Sequence, residues 1–337
     1  MKTKDLFQYR SVWMGVAIIF IVFFHSEMTF DNIIVETIRE FGYGGVDIFL
    51  FASGIGCYYS LQKDSDIARF MKRRFLRIMP VYLVFMVIWL AYQRLLFEMP
   101  ISSMLGNLFC VQNFTLKGNE FNWYVSAMWL MYLLAPFFAS LASKLKTWRA
   151  CLAVMAILLL FTVSFWYSYT FIISIARIPI FFLGVFVAKK ALDGFTIHRA
   201  QGIALTIVSV LGILLLLLLS RQSPDRLWLM GGLWYPFLLI VPGLCYLLSL
   251  LSSRLEASKA GRLVVRCFTA MGKCSFEIYL VHIFVFDIFQ NILVARGICS
   301  DNNGWRLFLL LPIAMGTVLL HLIGRVLQHG LKRLSVY

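Results

Sequence analysis

Residues 212–220 read GILLLLLLS, an unbroken apolar run inside a longer predicted span over residues 202–220. Such a run fits a transmembrane helix, which needs about 20 predominantly apolar residues to cross a hydrocarbon core of about 30 Å. Transmembrane β-strands instead alternate apolar and polar residues over short segments. The stretch therefore predicts an all-α membrane protein and argues against a transmembrane barrel.

The composition of the whole chain supports the same class. Of its 337 residues, 61% are hydrophobic and 14% are charged. A soluble domain is usually about half apolar and about a quarter charged, so this chain has too few polar residues to coat a water-facing surface. Short charged breaks separate the apolar runs, which predicts one membrane-embedded domain over residues 1–337 with no separate soluble domain. We expect ten spans, near residues 9–26, 44–62, 75–97, 122–143, 150–167, 170–189, 202–220, 228–251, 274–295 and 305–327.

The net charge of +15 first serves as an orientation signal. An even number of spans puts both termini on one side of the membrane. With both termini in the cytoplasm, 23 of the 31 basic residues lie in cytoplasmic segments. Cytoplasmic loops retain Lys and Arg, so this asymmetry predicts cytoplasmic termini and makes nucleic acid binding unnecessary as an explanation of the charge.

The seven cysteines show no CxxC or Cys/His spacing. Neither a metal site nor a disulfide framework is therefore predicted. Cys110 and Cys299 both fall in predicted outer loops, which leaves a pairing of these two open.

Several ionisable residues lie inside predicted spans. Each costs roughly 2.5 to 3.5 kcal/mol in hydrocarbon on insertion scales, so each is a candidate for function. The alternative is that some pair with one another, or with backbone carbonyls, as contacts between helices. The set consists of His25, Asp47, Arg177, Glu277, His282 and Asp287.

The first two spans carry the earliest candidates. His25 ends the run VAIIFIVFFH, and a histidine can move a proton near neutral pH. The alternative is an interfacial residue at the outer end of a helix. The second span begins GYGGVDIFLFASGIG, in which closely spaced small residues allow either a ligand or another helix to approach the backbone.

A basic cluster begins the third span at FMKRRFLRIMPVY, with Arg73, Arg74 and Arg77. Arg73 and Arg77 are four residues apart and share a helix face. Guanidinium groups bind phosphate through paired donors, so the cluster suits a polyphosphorylated cytosolic ligand. The alternative is a positive anchor against lipid headgroups.

Two later segments complete the pattern. SFEIYLVHIFVF places Tyr279 and His282 three residues apart on one helix face, with Glu277 in the same span. RIPIFFLG places Arg177 beside Pro179, which we expect to kink its helix.

Together these segments resemble the acyltransferase-three family of bacterial integral membrane O-acyltransferases, from Met14 to about His282. The motifs that match in order start with the run ending at His25; then follow Gly45, Val46, Asp47, Phe49, Ser53 and Gly54; Arg73, Arg74, Arg77, Pro80 and Tyr82; Trp123, Tyr132 and Pro136; Arg177, Pro179, Phe182 and Gly184; and Ser275, Tyr279 and His282. In one place the chain departs from the family, which usually has Arg at the position of Met14. Arg10 lies four residues earlier on the same helix face and is the candidate to supply that charge.

The resemblance implies a ten-span fold and transfer of an acyl group, most simply acetyl, from cytosolic acetyl-CoA to a hydroxyl of a cell-surface or lipid-linked glycan. It implies a multi-pass protein of the bacterial cytoplasmic membrane, with acetyl-CoA as a substrate, no tightly bound cofactor, and polysaccharide-assembly proteins as partners. A transporter or flippase of a glycan intermediate and a non-enzymatic scaffold are the alternatives.

The resemblance also implies roles for individual residues. His25 is expected to act as a general base or a transient acyl carrier. The residues expected to orient the reacting groups are Asp47, Tyr279 and His282. Those expected to hold the donor phosphates are Arg10, Arg73, Arg74 and Arg77. Those expected to bind substrate are Ser53, Trp123, Arg177 and Glu277.

Overall fold

A computed structural model describes residues 3–115, 121–165, 169–222 and 224–334. These residues form helices and no strand, which confirms the all-α class. The longer helices are α1 (Arg10–His25), α2 (Gly45–Lys63), α3 (Ile67–Phe97), α4 (Trp123–Lys144), α5 (Trp148–Val163), α6 (Ile178–Leu192), α7 (Arg199–Gln222), α8 (Phe237–Leu255), α9 (Lys259–Lys273), α10 (Ser275–Ile288) and α11 (Leu310–Leu334).

Shorter elements connect these helices. The short α-helices are Thr3–Leu6, Ile33–Glu40, Ile101–Leu108, Tyr169–Ile175, Pro224–Leu229 and Asn303–Phe308. Short 3-10 segments cover Phe7–Tyr9, Phe41–Gly44 and Gln112–Phe114, and a π-helical stretch, Phe289–Val294, continues α10.

In the described part of the chain, eight helical segments are long and apolar enough to cross a membrane, which confirms a polytopic membrane protein. They are Phe7–His25, Ile67–Phe97, Trp123–Lys144, Ile172–Leu192, Arg199–Gln222, Phe237–Leu255, Ser275–Val294 and Asn303–Leu331. The helices α2 and α5 match the other two predicted spans, but α2 is not among the eight and α5 is shorter. Residues 166 and 167, at the end of the predicted fifth span, lie outside the described residues. The count of ten and the cytoplasmic termini stay predictions.

The small residues of the second span serve mainly as helix contacts. A Cβ on Gly54 of α2 would lie 2.2 Å from the carbonyl oxygen of Phe181, and a Cβ on Gly184 of α6 would lie 2.2 Å from that of Phe51. The two glycines therefore let the backbones of α2 and α6 approach each other from both sides. Gly45 does the same toward α1, where a Cβ would lie 2.4 Å from the carbonyl oxygen of Ala17.

Polar side chains mark where helices begin between the predicted spans. Asp66 caps α3 by accepting a hydrogen bond from the backbone N–H of Arg69 at 2.9 Å. Ser258 caps α9 in the same way, with the N–H of Gly261 at 2.9 Å. These side chains satisfy donors that a helix start leaves without a partner, and so fix where α3 and α9 begin.

Helix α9 is an element that hydropathy did not predict. It is strongly amphipathic and packs along the first half of α1. A Cβ on Gly15 of α1 would lie 2.1 Å from the carbonyl oxygen of Phe268, and a Cβ on Gly272 would lie 1.8 Å from that of Ser11. Helix α1 is thus held between α2 on one side and α9 on another.

The predicted kink near Pro179 is a two-residue turn, residues 176–177, between two helices. The short helix Tyr169–Ile175 ends there, Arg177 precedes the first residue of α6, and Pro179 lies in the first turn of that helix. Proline is tolerated at this position because the backbone N–H groups of the first turn have no partner within the helix. The break turns the Arg177 side chain into the protein interior, where it is 2% exposed.

The two outer-loop cysteines do not pair. Cys110 is a buried free thiol and Cys299 is a partly exposed one. Cys299 packs instead near the small apolar cluster of Phe286, Phe289, Leu309 and Ile313.

Candidate active site

Two histidines from opposite ends of the chain meet inside the bundle. Nε2 of His282 lies 3.3 Å from Nδ1 of His25, and the ring centroids are 5.2 Å apart. His25 is the last residue of α1, and His282 lies in the second half of α10 and is fully buried. These two residues are 257 positions apart in the sequence, and the packing of α1 against α10 brings their side chains together.

Backbone carbonyls fix the proton positions of the pair. The Ile278 carbonyl oxygen lies 2.9 Å from Nδ1 of His282, and the Ile21 carbonyl oxygen lies 2.9 Å from Nδ1 of His25. A carbonyl only accepts, so each neutral ring carries its proton on Nδ1. His25 then donates a shared hydrogen bond to Ile21 and to Nε2 of His282. Its own Nε2 keeps a free lone pair, since no described residue hydrogen-bonds that atom.

Tyr279 forms a wall of this site. Its ring centroid lies 5.9 Å from that of His282 and 5.1 Å from that of Tyr124. Its hydroxyl donates a hydrogen bond to the backbone carbonyl of Phe121. The hydroxyl therefore anchors the segment that leads into α4, and the ring, not the hydroxyl, faces the histidine pair.

Asp47, Arg177 and Trp123 form a second cluster. Nε of Arg177 lies 3.7 Å from Oδ2 of Asp47, and both side chains are almost fully buried. The guanidinium lies over the rings of Trp123 and Trp234, at 4.9 Å and 4.6 Å from their centroids. It also donates to the carbonyl oxygen of Ile173 at 2.6 Å. This cluster joins the starts of α2, α4 and α6, as a contact between helices does.

The resemblance implies that Asp47 orients the reacting groups and that Arg177 and Trp123 bind substrate, and the structure places all three in this cluster. No described contact links Asp47 to either histidine, and the faces of Arg177 and Trp123 are turned toward each other. Trp234, which completes the cluster, was not predicted, because one tryptophan among nine carries no distinguishing pattern.

A cavity of about 200 Å³, named here the arginine cavity, opens between α1, α2, α3, α4, α10 and α11. Its basic lining residues are Arg10, Arg74, Arg77 and Lys273. Arg74 donates to the Gly56 carbonyl oxygen at 3.1 Å and stacks on Tyr132, at 5.4 Å from the ring centroid. A Cβ on Gly56 would lie 2.8 Å from a guanidinium nitrogen of Arg10, so this glycine makes room for Arg10.

The arginines of the predicted cluster separate in the structure. Arg74 and Arg77 line the cavity, but Arg73 points to the exposed side and pairs with Asp64 at 2.7 Å. Hydrogen bonds from Arg73 and Arg69 hold the pKa of Asp64 well below its ordinary range. The sequence spacing put Arg73 and Arg77 on one helix face. In the structure, α3 is rotated so that Arg74 and Arg77 face the interior of the bundle and Arg73 does not.

The structure also shows where Met14 lies, the position at which the family usually has Arg. Met14 and Arg10 both line the arginine cavity, one helical turn apart. Arg10 therefore reaches the space that an arginine at position 14 would occupy. Ser53, one of the residues expected to bind substrate, lines the same cavity.

Glu277 lies in the wall of the cavity with a partner that was not predicted. Nδ1 of His321 on α11 is 2.8 Å from Oε1 of Glu277, and both residues line the cavity. The signal for His321 was present, since it is an ionisable residue inside the apolar run of the last span. Asp287, by contrast, accepts a hydrogen bond from Asn291 of its own helical segment at 2.8 Å and lies apart from the cavity.

The fold and the site define a polytopic membrane protein with a paired-histidine centre next to a cationic cavity. The family model for an acyltransferase domain matches residues 13–323, nearly the whole chain. The chain belongs to the acyltransferase-three family, and it is a membrane acyltransferase. No curated protein and no solved structure shows a significant match to it.

Proposed function

We propose that the protein transfers an acetyl group from cytosolic acetyl-CoA to a hydroxyl of a cell-surface or lipid-linked glycan, at the bacterial cytoplasmic membrane. The observation that carries the proposal is His25, whose Nε2 is free and whose Nδ1 is held by the Ile21 carbonyl and by His282. A fixed imidazole with one free nitrogen suits a general base for a hydroxyl group.

The arginine cavity supports a phosphorylated donor. Arg10, Arg74 and Arg77 line one small space; Glu277 lines it too but pairs with His321, and no described carboxylate lies within ion-pair distance of the three arginines. Three like charges in such proximity repel one another, and a ligand with several phosphates relieves that repulsion. The predicted orientation puts this cavity toward the cytosol, where acetyl-CoA is found.

The reaction then follows from these positions. Nε2 of His25 takes the proton of the acceptor hydroxyl, and the oxygen attacks the thioester carbonyl of the donor. The carbon–sulfur bond breaks, the ester bond forms, and the imidazolium returns its proton to the thiolate of CoA. In the alternative order, Nε2 attacks the thioester first and carries the acetyl group to the acceptor. Both orders need His25 and consume one donor for each ester formed.

Helix ends give the two substrates separate approaches. Arg10 starts α1 and His25 ends it, so the helix leads from the donor phosphates to the reacting nitrogen. Sixteen residues of α-helix measure about 24 Å. In the predicted orientation the acceptor reaches His25 from the outer side, and the donor extends toward it from the cytosolic side.

Donor consumption tests the proposal. Full-length protein in proteoliposomes is supplied with acetyl-CoA labelled in the acetyl group and with a glycolipid extract of the source cells. The proposal predicts label in an ester of the glycan fraction and an equal amount of free CoA. Movement of the glycolipid across the bilayer without release of CoA would contradict it and favour a flippase. Comparison of the glycans of cells with and without the gene then identifies the acceptor.

A further inference from the structure

A second and larger cavity, of about 400 Å³, lies away from the histidine pair. It is named here the lateral crevice. Its floor contains Phe51 of α2, Val187 of α6 and Cys245 of α8, and its two sides are formed by α5 and α7. None of its lining residues lines the arginine cavity. The proposed acyl transfer leaves this space without a role.

The lateral crevice opens toward the bilayer. Leu152 on the α5 side is 65% exposed and Val208 on the α7 side is 38% exposed. Both helices face outward with long apolar side chains, and α7 is among the segments able to span a membrane. The opening therefore faces the hydrocarbon core of the bilayer. An apolar cavity of this size does not hold water well, and leaving it empty forfeits dispersion contacts along its walls.

One end of the lateral crevice carries a positive charge. Lys190, near the end of α6, lines it and donates from Nζ to the Lys146 carbonyl oxygen at 2.5 Å. Its neighbour Lys189 pairs with Asp193, but no carboxylate in the described chain lies within ion-pair distance of Lys190. Thr3 and Phe195 close this end, where Thr3 donates to the Phe195 carbonyl oxygen at 2.8 Å. By the predicted topology, this end lies at the cytosolic headgroup level.

We propose that the lateral crevice binds an anionic glycerophospholipid, with one acyl chain between α5 and α7 and the headgroup phosphate beside Lys190. The lining surface is mostly apolar, so it fits a hydrocarbon chain better than a glycan, which needs many hydrogen-bonding groups. The ammonium at the headgroup end selects for net negative charge, because Lys near an anionic surface attracts it. This binding is independent of the acyl-transfer chemistry.

Lipid binding to the purified protein tests this. Full-length protein in detergent is freed of endogenous lipid and titrated with phosphatidylglycerol or phosphatidylcholine of the same chains, and native mass spectrometry counts the lipids bound. We expect the first phosphatidylglycerol to bind about fivefold more tightly than the first phosphatidylcholine. Lys190→Gln should remove that preference and leave phosphatidylcholine binding unchanged.

Two further variants separate the crevice from general lipid contact. Leu205→Trp fills the crevice and should remove the first site for both lipids. Leu218→Trp, on an exposed position of the same helix outside the crevice, is the matched control and should keep it. Equal binding of the two lipids to the wild type, or an unchanged first site in Leu205→Trp, would overturn the proposal.

If Leu205→Trp does not fold, a fluorescence measurement on the unaltered crevice tests lipid binding instead. Trp148 lines the crevice, so phosphatidylglycerol with brominated chains should quench its fluorescence. Quenching should saturate at one lipid per protein, and Trp148→Phe should remove a large part of it. Quenching that rises without saturation, or that is the same in Trp148→Phe, would contradict a lipid in the crevice.

Discussion

Nε2 of His282 lies 3.3 Å from Nδ1 of His25, although 257 residues separate the two along the chain. Since each Nδ1 faces a backbone carbonyl oxygen, this contact is a donor–acceptor pair that runs from His25 to His282. His282 thus holds the ring of His25 by its Nδ1 side and leaves Nε2 free for chemistry. The two histidines have different roles, and substitutions at the two positions should differ in effect.

His282 is expected to act as a positioning residue. His282→Ala removes one of the two acceptors shared by the Nδ1–H of His25 and leaves only the Ile21 carbonyl, so the turnover number should fall by on the order of tenfold. His282→Gln offers an amide oxygen to the same proton and should retain more activity than His282→Ala. The KM for acetyl-CoA should change little in either variant. Equal losses in both variants would contradict a positioning role.

Two arginines of α3, Arg77 inside the arginine cavity and Arg73 outside it, should behave differently. Arg77→Gln removes a charge from the arginine cavity, so the KM for acetyl-CoA should rise by about tenfold, because charge-assisted contacts to phosphate contribute roughly 1.5–3 kcal/mol each. Arg73→Gln is the matched control, since Arg73 pairs with Asp64 outside the cavity. Donor kinetics measured at saturating acceptor check this. A larger effect from Arg73→Gln would contradict the donor assignment.

Position 14 offers a rescue test. Arg10→Ala should weaken donor binding, because it removes one of the three cavity arginines. Met14→Arg restores the residue that the family usually has and places a guanidinium in the same cavity one turn away. The double variant should therefore regain donor affinity relative to Arg10→Ala, as a titration with CoA measures it. A double variant no better than Arg10→Ala would show that the two positions are not interchangeable.

The contact between α2 and α6 should be intolerant of a methyl group. In Gly54→Ala the new Cβ meets the Phe181 carbonyl, and such overpacking costs typically about 1–3 kcal/mol. The midpoint of thermal unfolding in detergent should fall. Gly330→Ala is the control, because no atom lies within 4 Å of the Cβ it adds. An unchanged midpoint in Gly54→Ala would mean that the two helices can separate without cost.

The helices of this fold were largely predictable because hydrocarbon requires long apolar runs of defined length. Helix α9 was not, since its apolar residues cover only one face and its packing depends on Gly15 and Gly272 meeting the facing backbone. The break before α6 followed from Pro179.

The site was predictable in its members but not in its pairing. Hydropathy identified His25, His282, Asp47 and Arg177 as costly residues inside spans, and any pairing among them was possible. Only the packing of α1 on α10 and of α2 on α6 assigns His25 to His282 and Asp47 to Arg177. The rotation of α3, which separates Arg73 from Arg74, is likewise a property of the packed bundle.

The rate of acetyl transfer by His25→Ala tests the central claim most directly. The variant and its control, His198→Ala, are reconstituted in proteoliposomes with labelled acetyl-CoA and the glycolipid extract; His198 is exposed and lies in a predicted cytoplasmic loop. His25→Ala should insert normally, bind CoA normally and lose roughly 10²- to 10⁴-fold in transfer rate, the usual contribution of a general base. His198→Ala should transfer at the wild-type rate. A correctly inserted His25→Ala protein with near wild-type transfer would contradict the account and move the chemistry to His282.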